Sequence, residues 1–206
     1  MLIGIMENRI NKKIVLAVCG ASGVIYGLRL LKVLLEKNVD VFLVVSNAGK
    51  EVFSHEAGFS GASIEAFLAQ AEIKATPSSS LSIYDNDDFY APFASGSFQY
   101  DAMVVAPCTM GTMASIASGV ANNLILRASD VCLKEKRPLI LLPRETPFSK
   151  IHIENMLRLT EAGATIMPPS PSFYSKPKSI DDLVDTVVAR VLDHLKIEND
   201  LIKRWG

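Results

Sequence analysis

Three cysteines, three histidines and a formal net charge of −1 across 206 residues leave several kinds of chemistry without the material they need. Cys19, Cys108 and Cys132 are odd in number, far apart and without a CxxC pairing, which argues against a disulfide framework or structural zinc and fits a reducing compartment. The cytoplasm is the expected location. His55, His152 and His194 have no metal-ligand spacing, and each falls on a predicted helix, where a surface position is the default. Asp85-Asn86-Asp87-Asp88 lacks the Gly and the terminal Glu of a calcium loop, so no metal is expected. The near-neutral charge gives no broad basic surface for nucleic acid, and no apolar run approaches the ~20 residues that cross a bilayer. Residues 1–11 carry Glu7 and Arg9 and lack a long apolar stretch or a cleavage site, so they read as an extension and not a signal peptide. A GxxxxGK[ST] phosphate loop is absent.

Apolar residues, at 49% against 21% charged, suffice for one domain with a full core. The mean hydropathy of +0.26 points to further burial between subunits. Short β-rich runs at 14–18, 41–45, 102–106, 139–142 and 164–167 alternate with helical stretches starting after Gly23, Asn47, Thr112, Asn122, Lys150 and Ser179. That alternation predicts an α/β fold: a doubly wound parallel sheet with helices on both faces. The pattern weakens over 58–97, where an Ala-rich helical piece at 63–71 and a Ser-rich stretch precede a loop at 85–97. This part reads as an insertion or active-site loop. The domain is expected to span 13–206, behind an extension at 1–12.

Chemistry-bearing residues gather at predicted strand ends. Gly20-Ala21-Ser22-Gly23, with Gly27 beyond it, offers backbone N–H groups and a helix start to a phosphate, or else a tight turn with close helix packing. Its spacing is not GxGxxG, and Ser46-Asn47 stands where a nicotinamide-dinucleotide site wants an acid. Ser22 either caps the following helix or faces the chemistry. Thr109-Met110-Gly111-Thr112 repeats the logic after the third run, and two such loops suit a mononucleotide flavin. Arg127 and Lys134 lie seven apart beside a stripe of Leu124, Ala128, Val131 and Cys132, as snorkelling cations or a phosphate lining. Arg190 sits likewise beside Leu183, Val187 and Val191. Phe89, Tyr90 and Phe93 form either a loop's own small core or a wall for an apolar or cationic group. Phe173-Tyr174-Ser175-Lys176 supplies another aromatic and cation. Cys108, at a strand–helix junction, is a candidate for a lowered pKa, though no His motif accompanies it. Pro143-Arg144-Glu145-Thr146-Pro147 sets a cation and an acid at the carboxyl end of a buried run, where open α/β sheets hold ligands. An exposed ion pair stabilises by only about 0–1 kcal/mol, so stability alone gives little reason for it.

Taken in order, Gly20-Ala21-Ser22-Gly23-Val24-Ile25-Tyr26-Gly27, Ala94-Ser95-Gly96-Ser97, Pro107-Cys108-Thr109-Met110-Gly111-Thr112, Asn122-Asn123-Leu124-Ile125-Leu126-Arg127-Ala128, Leu133-Lys134-Glu135-Lys136-Arg137-Pro138 and Pro143-Arg144-Glu145-Thr146-Pro147-Phe148 resemble the UbiX family of flavin prenyltransferases. The resemblance runs from about residue 13 to the final Arg204-Trp205-Gly206. It implies a flavodoxin-like or Rossmann-like three-layer αβα protomer in a homododecamer, with FMN at subunit contacts. It implies transfer of the dimethylallyl group of dimethylallyl monophosphate to N5 and then C6 of reduced FMN, without a metal. The product, prenylated FMN, serves UbiD-type decarboxylases, including that of ubiquinone biosynthesis.

The resemblance also implies roles. Gly20, Ala21, Ser22, Gly23, Ser46, Thr109, Met110, Gly111, Thr112 and Arg127 would hold FMN, while Lys134, Arg144, Tyr174 and Arg190 would grip the prenyl phosphate. Ser22 and Glu56 would help proton movements at the flavin, and Glu145 would protonate the departing phosphate. Phe89 stands at an aromatic position often filled by Trp in the family, and its face is a weaker partner for an allylic cation. Two other readings compete. A flavin-dependent decarboxylase of cysteine-like carboxylates would carry a catalytic His and Pro-Met-Asn, where this chain has Pro107-Cys108-Thr109. A non-catalytic flavin-binding subunit would be expected to lose several of the residues just named.

Overall fold

The computed structural model describes residues 11–58 and 63–204. Its framework is a six-stranded, all-parallel sheet of β1 (Lys13–Val18), β2 (Asp40–Val45), β3 (Leu81–Tyr84), β4 (Ala102–Cys108), β5 (Leu139–Pro143) and β6 (Thr165–Ile166), in the order β3-β2-β1-β4-β5-β6. Strand side chains alternate between faces. Ile14, Leu16 and Val18 of β1 therefore join one core with Val41, Leu43, Val104 and Ile140, while Val15, Ala17 and Cys19 join the other with Val44, Met103, Val105 and Leu141. Apolar residues on both faces require helices on both. α1 (Val24–Glu36), α2 (Asn47–Ala57), α3 (Ile64–Gln70) and α7 (Ile180–His194) cover the first face; α4 (Met110–Ala117), α5 (Leu124–Lys134) and α6 (Lys150–Glu161) cover the second. The fold is a flavodoxin-like, three-layer α/β protomer, as the alternation predicts.

The weak stretch at 58–97 departs from its expectation. It is not simply an insertion, because β3 pairs with β2 in parallel register from Val41↔Leu81 to Val44↔Tyr84 and forms the sheet's edge. Only four residues long and nowhere fully buried, β3 lacks the continuous apolar run that marks the central strands. Of the extension at 1–12, residues 1–10 lie outside the described residues. Asn11 bonds to the Ser78 carbonyl at 2.6 Å, and the Lys12 ammonium to the Leu195 carbonyl at 2.7 Å. The second contact sets the carboxyl end of α7 beside the amino end of β1.

Strand order reverses between β1 and β4, whose following helices α1 and α4 leave to opposite faces. The crevice so formed, at the carboxyl edge, is where such sheets bind ligands. α1 packs tightly there: a Cβ on Gly27 would come within 2.3 Å of the Ala106 carbonyl oxygen. The reading of Gly27 as a close-packing residue is therefore the right one.

Candidate active site

Three loops enter the crevice. The β1–α1 turn ends on Gly23 at φ +99°, in left-handed conformation, and no side chain of that turn caps α1. The cap comes from α2. The Glu56 Oε2 accepts from the Gly23 amide at 2.8 Å and the Val24 amide at 3.1 Å, satisfying N–H groups that would otherwise be orphaned. This corrects two expectations. Ser22 is not the helix cap; its hydroxyl lies beside Glu56 and favours the ionised carboxylate. The α1 amides of Gly23 and Val24, expected to face a phosphate, already hold a carboxylate.

Glu56 has its pKa lowered. Partial burial works to raise it, but the Ser22 hydroxyl and the Gly23 and Val24 amides, with the charge of Arg144, outweigh that penalty. Arg144 follows β5, with its amide on the Cys108 carbonyl at 3.3 Å, and its side chain lies over the turn, since a Cβ on Gly23 would stand 4.0 Å from Cγ of Arg144. Ser22, Gly23, Glu56 and Arg144, drawn from two strand ends and one helix, thus meet in one cluster. Glu145, next to Arg144, is exposed, and its Oε1 accepts from the Thr146 amide at 3.0 Å.

The other two loops begin helices with hydroxyl caps. Ser46 accepts from the Gly49 amide at 3.0 Å at the start of α2, and Thr109 accepts from the Thr112 amide at 3.0 Å at the start of α4. Gly20 holds the turn against α2, where an added Cβ would sit 2.4 Å from that of Ala48. Gly111 is open, with only Thr109 Oγ1 within 4 Å of a Cβ placed there, at 3.9 Å. An approachable backbone flanked by hydroxyl and amide donors is a donor set that suits the phosphate and polar ring edge of a flavin mononucleotide, so Gly20, Ala21, Ser46, Thr109, Met110, Gly111 and Thr112 fit it.

Cys108 is fully buried and lacks the lowered pKa its place at a strand–helix junction suggests. Burial pushes its thiol well above the ordinary range, as it pushes Cys19 and Cys132 to about 11. Among the described residues no group of three His, Cys, Asp or Glu is arranged to hold a metal, and no helix is long and apolar enough to cross a membrane.

The remaining predicted residues stand apart from this cluster within one chain. Phe93 is fully buried against Phe42 and Tyr84, so it belongs to the core, whereas Phe89 is 47% exposed and lines a cavity of about 580 Å³ with Tyr90 and Ser95. Arg127 lies beneath the same loop, its Nε donating to the Ala94 carbonyl at 3.0 Å. It is half-buried beside the α5 stripe, whose Leu124, Ala128, Val131 and Cys132 are all fully buried. Lys134 ends α5, its Nζ 3.2 Å from Glu135 and packed over Gly96. Tyr174 and Arg190 share a cavity of about 770 Å³ along α7. Arg190 lies on α7, whose carboxyl end meets the amino end of β1, whereas Arg144 follows β5 at the carboxyl edge. Neither Lys134 nor Arg144 lines the cavity that holds Tyr174 and Arg190, so the four residues of the expected phosphate grip do not share one cavity of the protomer. Asp193, overlooked in the sequence, contacts Arg190 at 2.9 Å; the i,i+3 spacing on α7 is the signal that reveals it.

Residues 5–192 match the Flavoprotein family model. The chain is 47% identical to the flavin prenyltransferase UbiX of Methanocaldococcus jannaschii, over 94% of this chain and 98% of the relative. It is similar to the crystal structure of AnUbiX (PadA1) in complex with FMN and dimethylallyl pyrophosphate, at TM-score 0.85 and 40% identity, covering 96% of this chain and 98% of that one. A dodecameric FMN-dependent UbiX-like decarboxylase from Escherichia coli O157:H7 is also similar, at TM-score 0.82 and 40% identity over 94% and 99% of the two chains.

Proposed function

The chain belongs to the Flavoprotein family and, within it, to the UbiX flavin prenyltransferases, and from that premise we propose how its residues serve the reaction. It transfers a dimethylallyl group from a dimethylallyl phosphate to reduced FMN. Bound reduced FMN supplies the nucleophilic N5 and then C6 that take up the dimethylallyl carbons. The observation that carries the residue assignments is the cluster at the switch point, where Arg144 lies over the β1–α1 turn beside the Ser22–Glu56 pair.

The hydroxyls and amides of Ser46, Thr109, Met110, Gly111 and Thr112, with Gly20 and Ala21 of the β1–α1 turn, hold FMN in the crevice, and Arg127 adds a cation. Arg144 binds the phosphate of the donor. Lys134, Tyr174 and Arg190 add charge and a hydroxyl, which matters where no metal shares the phosphate charge. Glu56, kept anionic by its four partners, accepts a proton through the Ser22 hydroxyl, while Glu145 delivers one to the leaving phosphate. Phe89 presents an aromatic face to the allylic cation left as the phosphate departs.

Because Arg144 and Arg190 do not share one cavity of the protomer, these roles call for a homo-oligomer, a dodecamer on the pattern of the similar solved structure, with sites shared between protomers. The domain is taken as 13–206, with 1–12 as an extension, and the donor as the monophosphate. The product would pass to a UbiD-type decarboxylase in the cytoplasm. The test is anaerobic incubation of the purified protein with reduced FMN and dimethylallyl monophosphate, followed by mass spectrometry of the bound flavin. The expected result is a flavin heavier by the prenyl group; an unchanged mass, with FMN binding confirmed, would sink the proposal.

A further inference from the structure

Asp193, in the last turn of α7, accepts from two arginines at once. Arg204 approaches as a fork, Nη2 to Oδ1 at 2.8 Å and Nη1 to Oδ2 at 3.2 Å, whereas Arg190 gives a single bond from Nη1 to Oδ2 at 2.9 Å. Asn199 Nδ2 adds a contact to Oδ1 at 3.3 Å. A carboxylate has about four lone-pair sites, so this one is full. The other N–H groups of Arg190 have no partner among the described residues, and its side chain lines the 770 Å³ cavity with Tyr174, Ser172 and Lys203. Among the described residues, two guanidinium charges meet one carboxylate at that cavity, which leaves one positive charge uncompensated. As a surface ion-pair group the arrangement would stabilise the fold little. Its geometry instead settles which arginine is neutralised.

We propose that Arg204 is a positioning residue for the donor phosphate: by occupying the fork of Asp193 it keeps Arg190 turned to the cavity with its charge available. This rests on the assignment of Arg190 to the donor phosphate made above. Without Arg204, the fork is open to Arg190, three residues away on the same helix face. Bidentate pairing is favoured over a single bond. Arg190 then folds onto Asp193, its charge is neutralised, and the phosphate loses a partner.

Steady-state kinetics of the full-length protein, at saturating reduced FMN and varied dimethylallyl monophosphate, test this. Arg204→Ala is expected to raise KM about tenfold, the worth of one charge-assisted hydrogen bond, with kcat changed less than about twofold. In Arg204→Ala/Asp193→Asn the neutral amide no longer captures Arg190, and KM is expected to return to within about threefold of the parent. A merely structural role would make the double variant as poor as the single or poorer, and that result overturns the proposal. Arg190→Ala separates the two layers. If it leaves KM unchanged, the assignment of Arg190 fails and this inference with it; if it raises KM while Arg204→Ala does not, the assignment stands and the inference alone is overturned. Should Arg204→Ala retain no FMN, Arg204→Lys, a point charge without the fork, is expected to give a raised KM, and an unchanged one overturns the proposal.

Discussion

Glu56 does from α2 what no residue of the β1–α1 turn does for itself: it satisfies the first amides of α1. The Ser22 hydroxyl does most to offset burial and lower its pKa, with the Gly23 and Val24 amides and Arg144 adding to it. A depressed folded pKa means that the linked stability is present above the ordinary carboxylate range and is lost as pH falls through the depressed value. Glu56 is exposed, so solvent screening holds that contribution to about 0–1 kcal/mol. The sharper readout is titration. In Ser22→Ala the Glu56 carboxyl, followed by carbon NMR, is expected to titrate at higher pH than in the parent, and the acid limb of the pH–rate profile to move up with it. A titration curve that stays in place would remove Ser22 from the proton path. The sequence makes Ser22 and Glu56 legible as candidates through family resemblance, but not their pairing. The carboxylate and the amides it caps are more than thirty positions apart, and only packing of α2 against the turn joins them.

At the scale of elements, β1, β2, β4 and β5 are plain in the sequence because strands buried on both faces are nearly continuous apolar runs. β3 is not, since an edge strand with one exposed flank carries Ser82 among Leu81, Ile83 and Tyr84 and merges into its Ser-rich approach. The same logic explains the helices: the stripe of α5 is apolar where it meets the sheet except for Ser129, whose hydroxyl is satisfied by the Ile125 carbonyl, so Arg127 and Lys134 stand out against it. The seam between α1 and β4 then fixes how closely the β1 and β4 loops approach across the crevice. Gly27→Ala puts a methyl group 2.3 Å from the Ala106 carbonyl oxygen, on backbone that cannot swing aside. Overpacking of this kind costs about 1–3 kcal/mol. The variant is expected to melt at lower temperature and to bind FMN more weakly, because displacing α1 moves the turn at 20–23. Unaltered melting and flavin affinity would mean that α1 has room the geometry does not show.

At the scale of the whole molecule, the residues of the proposed site stand on different elements of the protomer. Arg144 and Glu145 follow β5 at the carboxyl edge, while Arg190 sits on α7, whose carboxyl end meets the amino end of β1. Ile151, Ile153 and Leu157 of α6 are more than half exposed, a surface that the positive mean hydropathy already anticipates as buried between copies. Composition thus makes assembly legible, but the sequence cannot show which residues one chain lends another. Glu145→Gln is expected to bind FMN normally and form product slowly, and Arg190→Ala to be poor through KM. Mixed in equal amounts by co-expression, these variants distinguish the two arrangements. If one protomer supplies Glu145 and another Arg190, random assembly leaves about a quarter of the sites with both groups intact. Product formation at subsaturating donor should then rise to about a quarter of the parent rate, well above the mean of the separate variants. If both groups served the same site from one chain, no mixture would contain an intact site, and the rate would stay at that mean. Recovery therefore counts the sites that straddle two protomers.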